Sequence, residues 1–145
     1  MRGEWTLCTN VDGLLTSAHP DGGTRLSRNG EVVHRGMAVA GFAETVIIHQ
    51  NGAVKIPDDV PLELACLVGC AVQTGVGAVL NTAGVAEGDT VLVMGLGGVG
   101  LSVVQGARLA NASRIIVSDP VAERRERALS LGATHAIDPT ADDLA

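Results

Sequence analysis

Aromatic side chains are almost absent from this chain of 145 residues, which contains one Trp, one Phe and no Tyr. Its core must therefore be built from Val, Leu, Ile and Ala, and hydrophobic residues make up 46% of the sequence. The 19 glycines mark tight turns and close backbone approaches. This composition excludes wholesale disorder and favours a buried parallel sheet covered by helices over a sandwich of half-exposed strands.

An excess of basic residues is also lacking, since 10 Lys and Arg stand against 16 Asp and Glu and the net charge is -6. We therefore expect no nucleic-acid partner. Three cysteines are too few for a disulfide framework, which favours a reducing compartment. No signal peptide is visible, and the longest apolar stretch, residues 91–101, is too short and too rich in glycine to span a bilayer. We expect a cytoplasmic protein without a membrane partner.

The pattern of predicted secondary structure changes near residue 58. Residues 1–57 are rich in turn signals such as Asn29-Gly30 and contain two strand candidates, at 42–48 and 53–56. Helices and buried strands then alternate in the order of the first half of a doubly wound α/β sheet. The predicted elements are helices at 61–70 and 72–81, a strand at 90–94, a helix at 99–110, a strand at 114–118, a helix from Pro120 to a stop at Gly132 and a strand at 135–137.

A glycine cluster joins the strand at 90–94 to the helix that follows it. Gly95, Gly97 and Gly100 have the spacing G-x-G-x-x-G, which acquires physical meaning between a buried strand and a helix. The first glycine permits the tight turn, the second lets a pyrophosphate approach the backbone, and the third lets the helix lie close to the strand. The free N–H groups and the positive dipole end of the helix then face the anion.

Asp119 ends the second strand of this region, 24 residues after Gly95. This is near the spacing of about 20 residues expected for the carboxylate that binds the adenosine ribose hydroxyls of a dinucleotide. A carboxylate repels a 2′-phosphate, so the pattern favours NAD over NADP. The alternative is that the glycines only form a tight turn and that Asp119 only caps the following helix.

Cys66 and Cys70 are four residues apart on a predicted helix and share one face. Such a pair can contribute to a metal site. The alternative is a pair of small buried hydrophobic residues, and for an isolated pair with this spacing that interpretation is favoured.

Longer strings of residues resemble the zinc-dependent medium-chain alcohol dehydrogenases. They are residues 64–77 (LACLVGCAVQTGVG), 81–89 (NTAGVAEGD) and 95–101 (GLGGVGL), with shorter matches at 41–44, 54–57, 105–107, 115–116 and 131–134 and at Asp119. The resemblance runs from about Gly36 to Asp138, and its combined motifs are specific to this family. It implies a partial β-rich, GroES-like catalytic-domain segment over 1–60, connecting helices with the zinc cysteine over 61–84, and the N-terminal half of an NAD-binding Rossmann domain over 85–145.

The same resemblance implies the cofactors NAD and zinc. Cys70 would be a ligand of the catalytic zinc, with Cys66 a structural neighbour, and Cys8 would be the last of four structural-zinc cysteines. No residue is assigned as catalytic.

Further residues would contact the dinucleotide. Thr74 would touch its nicotinamide end, Val99 would pack behind the nicotinamide ring, and Arg124 would reach the adenosine ribose beside Asp119. Gly98 completes the glycine loop.

Two motifs of the family are missing from this sequence: an upstream Cys-x-Ser/Thr pair and a Gly-His-Glu motif that supplies two more zinc ligands. His19, His34 and His49 have contexts unlike the lost motif and are interpreted as surface or turn residues. We therefore expect an incomplete chain of an NAD-dependent, zinc-type dehydrogenase acting on a small alcohol or aldehyde, homo-oligomeric in its full-length form. The alternatives are an inactive remnant that retains partial dinucleotide binding, and a zinc-free reductase, against which Cys70 and Asp119 argue.

Overall fold

The computed structural model describes residues 23–35, 39, 41–48 and 50–141. The chain forms two compact units, Met1–Lys55 and Ile56–Ala145.

The described part of the first unit contains a small hairpin, in which β1 (Ser27–Arg28) pairs antiparallel with β2 (Glu31–Val32). Asn29 and Gly30 both have positive φ, 54° and 84°, so the predicted turn is confirmed. A short 3-10 turn follows at Gln50–Gly52.

The strands predicted at 42–48 and 53–56 are wrong, because these residues form bends and irregular backbone. Phe42 and Ile47 are almost fully exposed, so the apolar side chains on which the prediction rested are not buried. A strand of this kind is stable only when a neighbouring strand pairs with its backbone, and the described part of the unit holds no such neighbour.

The second unit begins with a continuous helical segment, α1 (Leu62–Ala83), which follows Pro61 as expected. Two helices were predicted here, and that division is wrong: the chain passes from α-helix (Leu62–Leu67) to π-helix (Val68–Val72), α-helix (Gln73–Gly77) and π-helix (Ala78–Ala83) without interruption. Gly84, with φ of 62°, ends the segment. By length and composition alone α1 would suffice to cross a membrane, a property that core helices of soluble proteins share.

The rest of this unit is a βαβαβ arrangement, and its prediction is confirmed. Its elements are β3 (Thr90–Met94), α2 (Gly98–Leu109), β4 (Arg114–Ser118), α3 (Ala122–Leu131) and β5 (His135–Ile137). The three strands are parallel and lie in the order β3-β4-β5. Gly132 ends α3 in the left-handed conformation, with φ of 119°.

The core of the described residues lies between this sheet and its helices. It is made of Val, Leu, Ile and Ala, as the composition requires, and consists of Val79, Val93, Leu96, Val104, Ala107, Ile115, Val117, Ala128 and Ala133. Helix α1 crosses α2 with their backbones in close contact. A Cβ atom at Gly75 would lie 2.6 Å from the carbonyl oxygen of Val99 and 2.8 Å from the main-chain nitrogen of Val103.

Candidate functional site

The glycine loop leaves the carboxyl end of β3 and turns sharply into α2. Gly95 has φ of 87°, a conformation that side chains rarely tolerate, and its N–H donates a 2.8 Å hydrogen bond to the carbonyl oxygen of Ser118. A Cβ atom at Gly100 would overlap the carbonyl oxygen of Gly95. The chain's own geometry therefore requires glycine at the first and third positions of the motif.

Gly97 differs from both. Its φ and ψ of -72° and -171° are accessible to any residue, and a Cβ atom built on it would meet nothing within 4 Å. Neither the backbone nor a neighbouring atom of the described chain requires glycine here. Gly97 therefore leaves an open space directly in front of the helix.

The first turn of α2 presents unpaired donors to that space. Gly97 is the N-cap and provides no side-chain cap, and the first helical hydrogen bond runs from Leu101 N–H to the Gly97 carbonyl. The N–H groups of Gly98, Val99 and Gly100 consequently have no partner within the helix. They lie at the positive end of the helix dipole, so an anion is favoured at this position.

Asp119 lies beside this loop, at the carboxyl end of β4, and is 3% exposed. Its Oδ2 accepts a 2.8 Å hydrogen bond from the N–H of Leu96, and its Oδ1 accepts one of 2.8 Å from the N–H of Val121. The Nη1 atom of Arg124 lies 3.7 Å from Oδ2. The carboxylate thus joins the glycine loop to the loop between β4 and α3.

These contacts also fix the charge of Asp119. The N–H of Leu96, then that of Val121, and to a smaller extent Arg124 lower the pKa of the carboxyl group, while burial opposes them. The group is therefore ionised at neutral pH. Each carboxylate oxygen accepts one main-chain hydrogen bond and has lone-pair capacity for another. Asp119 is not the N-cap of α3, which is Val121.

A groove of about 450 Å³ opens along the same loop. Its charged side chains are Arg124, Arg127 and Glu123, which belong to α3. Sequence reasoning missed Arg127, although its spacing of three residues from Arg124 places both on one face of a helix. The groove is lined by Leu96, Gly97, Gly98, Leu101, Val121, Glu123, Arg124 and Arg127.

Two residues expected at the nicotinamide end lie near the crossing of α1 and α2. Thr74 is exposed on α1, next to Gly75, whose missing Cβ would meet the carbonyl oxygen of Val99. Val99 itself is exposed in the first turn of α2. Their roles at a nicotinamide ring stay predictions.

The cysteines of the described chain do not form a metal site by themselves. Cys66 and Cys70 are exposed free thiols, and Cys66 Sγ donates to the Glu63 carbonyl oxygen at 3.3 Å. Within residues 23–35, 39, 41–48 and 50–141, no group of three or more His, Cys, Asp or Glu is placed to hold a metal. Cys8 lies outside the described residues, as do His19 and His49. The zinc roles of Cys70 and Cys8 stay predictions.

Comparison with known proteins identifies relatives of this loop and of the chain around it. Residues 98–145 match the family described as zinc-binding dehydrogenase. The S-(hydroxymethyl)glutathione dehydrogenase of Synechocystis is 46% identical over 142 residues, which is 97% of this chain and 38% of that protein.

Two solved structures show the same fold. The alcohol dehydrogenase zinc-binding domain protein of Burkholderia ambifaria matches with a TM-score of 0.85 and 41% identity, over 94% of this chain and 38% of that one. An E. coli CFT073 protein described as a short chain alcohol dehydrogenase, complexed with NADH, matches with a TM-score of 0.60 and 34% identity, over 67% of this chain and 28% of that one.

This chain spans about two fifths of the length of the curated relative, 38%. The similarity extends across nearly all of the chain. Over the part of those proteins that it spans, the chain is similar to the zinc-type medium-chain alcohol dehydrogenases.

Proposed function

We propose that this chain supplies the pyrophosphate and adenosine-ribose part of the NAD site of an alcohol dehydrogenase. The whole enzyme would transfer hydride between a primary or secondary alcohol, or an aldehyde, and NAD. The observation that carries the proposal is the open space at Gly97, at the start of α2, next in the chain to Leu96, whose N–H donates to the ionised Asp119 carboxylate. The similarity to alcohol dehydrogenases, including a protein solved with NADH, supports it.

Different residues of the site would bind different parts of the dinucleotide. The N–H groups of the first turn of α2 would donate to the pyrophosphate oxygens, which approach through the space that Gly97 leaves open. Asp119 would accept hydrogen bonds from both ribose hydroxyls, and its charge would disfavour a 2′-phosphate, so NAD is preferred over NADP. When bound, the nicotinamide ring of the dinucleotide takes up or supplies the hydride.

Zinc is the second cofactor of this proposal, since residues 98–145 match the family described as zinc-binding dehydrogenase. The described residues do not assemble three protein ligands, which a catalytic zinc site requires. A second candidate function follows from this observation: a chain that binds the dinucleotide and catalyses no reaction. Zinc titration and alcohol-dependent NADH production separate the two, because only the enzyme shows both.

The proposal includes a cytoplasmic location and a small-molecule substrate, without a nucleic-acid or membrane partner. The contact between Gly75 of α1 and the backbone of α2 supports a packing role for α1 rather than a membrane-spanning one. A thiol adduct is a further substrate candidate, since the Synechocystis relative is named for one. Homo-oligomerisation is proposed for the full-length protein.

The substitution Gly97→Ala tests the dinucleotide site. The backbone at Gly97 accepts alanine and no neighbouring atom obstructs it, so the melting temperature is expected to stay at or slightly above that of the wild type. The new methyl group would occupy the space required by the pyrophosphate. We expect affinity for NAD, measured by calorimetry, to fall at least tenfold.

Gly69→Ala is the matched control, because a Cβ atom there also meets nothing within 4 Å and Gly69 lies outside the loop. The affinity of Gly69→Ala for NAD should equal that of the wild type. The wild type itself should bind NAD more tightly than NADP. A Gly97→Ala variant that binds NAD as tightly as the wild type would overturn the proposal.

A further inference from the structure

Arg125 spans the carboxyl ends of β4 and β5 from the beginning of α3. Its Nη1 donates a 2.7 Å hydrogen bond to the main-chain carbonyl oxygen of Asp119. Its Nη2 lies 3.0 Å from Oδ2 of Asp138, which follows β5. The side chains of Arg125 and Asp138 are only 18% and 24% exposed, so water screens this ion pair less than one at an open surface.

Asp138 is itself held in place. Its Oδ1 accepts a 2.6 Å hydrogen bond from the hydroxyl of Thr140 and one of 3.0 Å from the Thr140 N–H. These two contacts, followed by the Arg125 charge, lower the pKa of the Asp138 carboxyl against the effect of burial. The guanidinium therefore has a fixed, ionised partner on one side and a peptide carbonyl on the other.

This arrangement bears on the position of the Asp119 carboxylate. The backbone of Asp119 is held through its carbonyl by Arg125, while its N–H lies 3.4 Å from the carbonyl oxygen of Ile137, a long contact. Two short hydrogen bonds, each of 2.8 Å, then connect the side chain to Leu96 and Val121. Of these two contacts to the Asp119 backbone, the one from Arg125 has the shorter donor–acceptor distance.

We infer that Arg125 is a positioning residue of the dinucleotide site, which holds the backbone of Asp119 so that its carboxylate stays where the ribose hydroxyls bind. Asp138 is the anchor of the guanidinium. The inference rests on the proposed function, because it assumes that Asp119 binds the ribose. A purely structural role, in which Arg125 only ties α3 to β5, would not distinguish ligands with and without the 2′-hydroxyl.

The test compares ADP with 2′-deoxy-ADP in calorimetric titrations of the full chain. A hydrogen bond to a carboxylate predicts that the wild type binds ADP about tenfold more tightly than the deoxy analogue. Arg125→Lys cannot reproduce the two-sided contact of the guanidinium, so we expect this ratio to fall below about threefold. Affinity for 2′-deoxy-ADP should change little.

Two further variants complete the design. Asp138→Asn removes the charge of the anchor and leaves Arg125 in place, so it should lower the ratio even if Arg125→Lys does not fold. Arg114→Lys is the matched control, since Arg114 is an exposed arginine at the opposite end of β4. It should keep the wild-type ratio.

The outcomes separate the two claims. A wild type that binds ADP more tightly than 2′-deoxy-ADP, with the same ratio in folded Arg125→Lys and Asp138→Asn, overturns the inference and leaves the proposed function intact. Equal losses of affinity for both nucleotides also overturn it, because they indicate a structural role only. A wild type that binds neither nucleotide refutes the proposed function, and the inference with it.

Discussion

Replacing Gly75 by alanine tests the contact between α1 and α2, the helix that carries the glycine loop. A Cβ atom at this position would lie 2.6 Å from the Val99 carbonyl oxygen, 2.6 Å from Ser102 Cβ and 2.8 Å from Val103 N. Two of these three atoms belong to the backbone of α2 and cannot be relieved by a change of rotamer. The helices would have to separate.

The expected magnitude follows from two opposing effects. Alanine gains about 1 kcal/mol of helix propensity over glycine. Overpacking of this kind costs about 1–3 kcal/mol. Gly77→Ala has the gain in helix propensity without the overpacking, because Gly77 lies in the same helical segment and the nearest atom to its Cβ would be Asn81 Nδ2, at 3.8 Å. The difference between the two variants therefore isolates the cost of overpacking. We expect Gly75→Ala to be less stable than Gly77→Ala by about 1–3 kcal/mol.

Urea unfolding of the two variants, followed by circular dichroism, measures this difference. Gly77→Ala should be as stable as the wild type or more so. In thermal melts each kcal/mol corresponds to about 4–8 °C for a unit of this size. Equal unfolding midpoints for the two variants would refute the close contact between α1 and α2 and, with it, the packing role of α1.

Two further predictions concern the loop and its acidic residues. Gly100→Ala places a methyl group on the Gly95 carbonyl oxygen and should destabilise the chain by about 3 kcal/mol or more in urea titrations, whereas a wild-type midpoint would contradict the tight turn. The folded state lowers the pKa values of Asp119 and Asp138. The two ionised carboxylates therefore stabilise the fold at pH values above the ordinary carboxyl pKa of about 4. This stabilisation is lost as the pH falls through the lowered pKa values. Melting temperatures should therefore fall between about pH 5 and pH 2, less steeply in Asp138→Asn, and a flat profile would be inconsistent with these contacts.

The βαβαβ region was predictable because its signals are local. Each strand is a short apolar run, and the breaks fall at residues with special backbone requirements, such as Gly95 and Gly132, which both have positive φ. The place of Asp119 at the carboxyl end of β4 was predictable from the apolar run before it, and its role at a ribose stays a prediction. The same locality accounts for the correct hairpin turn at Asn29 and Gly30.

Features that depend on distant partners were not predictable from the sequence. Gly75 is required by a backbone of α2 more than 20 positions away, and nothing near it in the sequence indicates this contact. The strand expected at 42–48 has the right composition and no neighbouring strand in the described chain. Arg125 acts through a carbonyl group and a carboxylate that are brought together only by the order of the strands.

The sheet also has a consequence for how the site is assembled. Each strand pairs with the next one along the chain: Thr90 pairs with Arg114, 24 positions later, and Ile116 pairs with His135, 19 positions later. The closure entropy of such connections is modest, because it grows only slowly with loop length. We therefore expect the glycine loop and its acidic neighbour to meet as soon as β4 has paired with β3, before β5 completes the sheet.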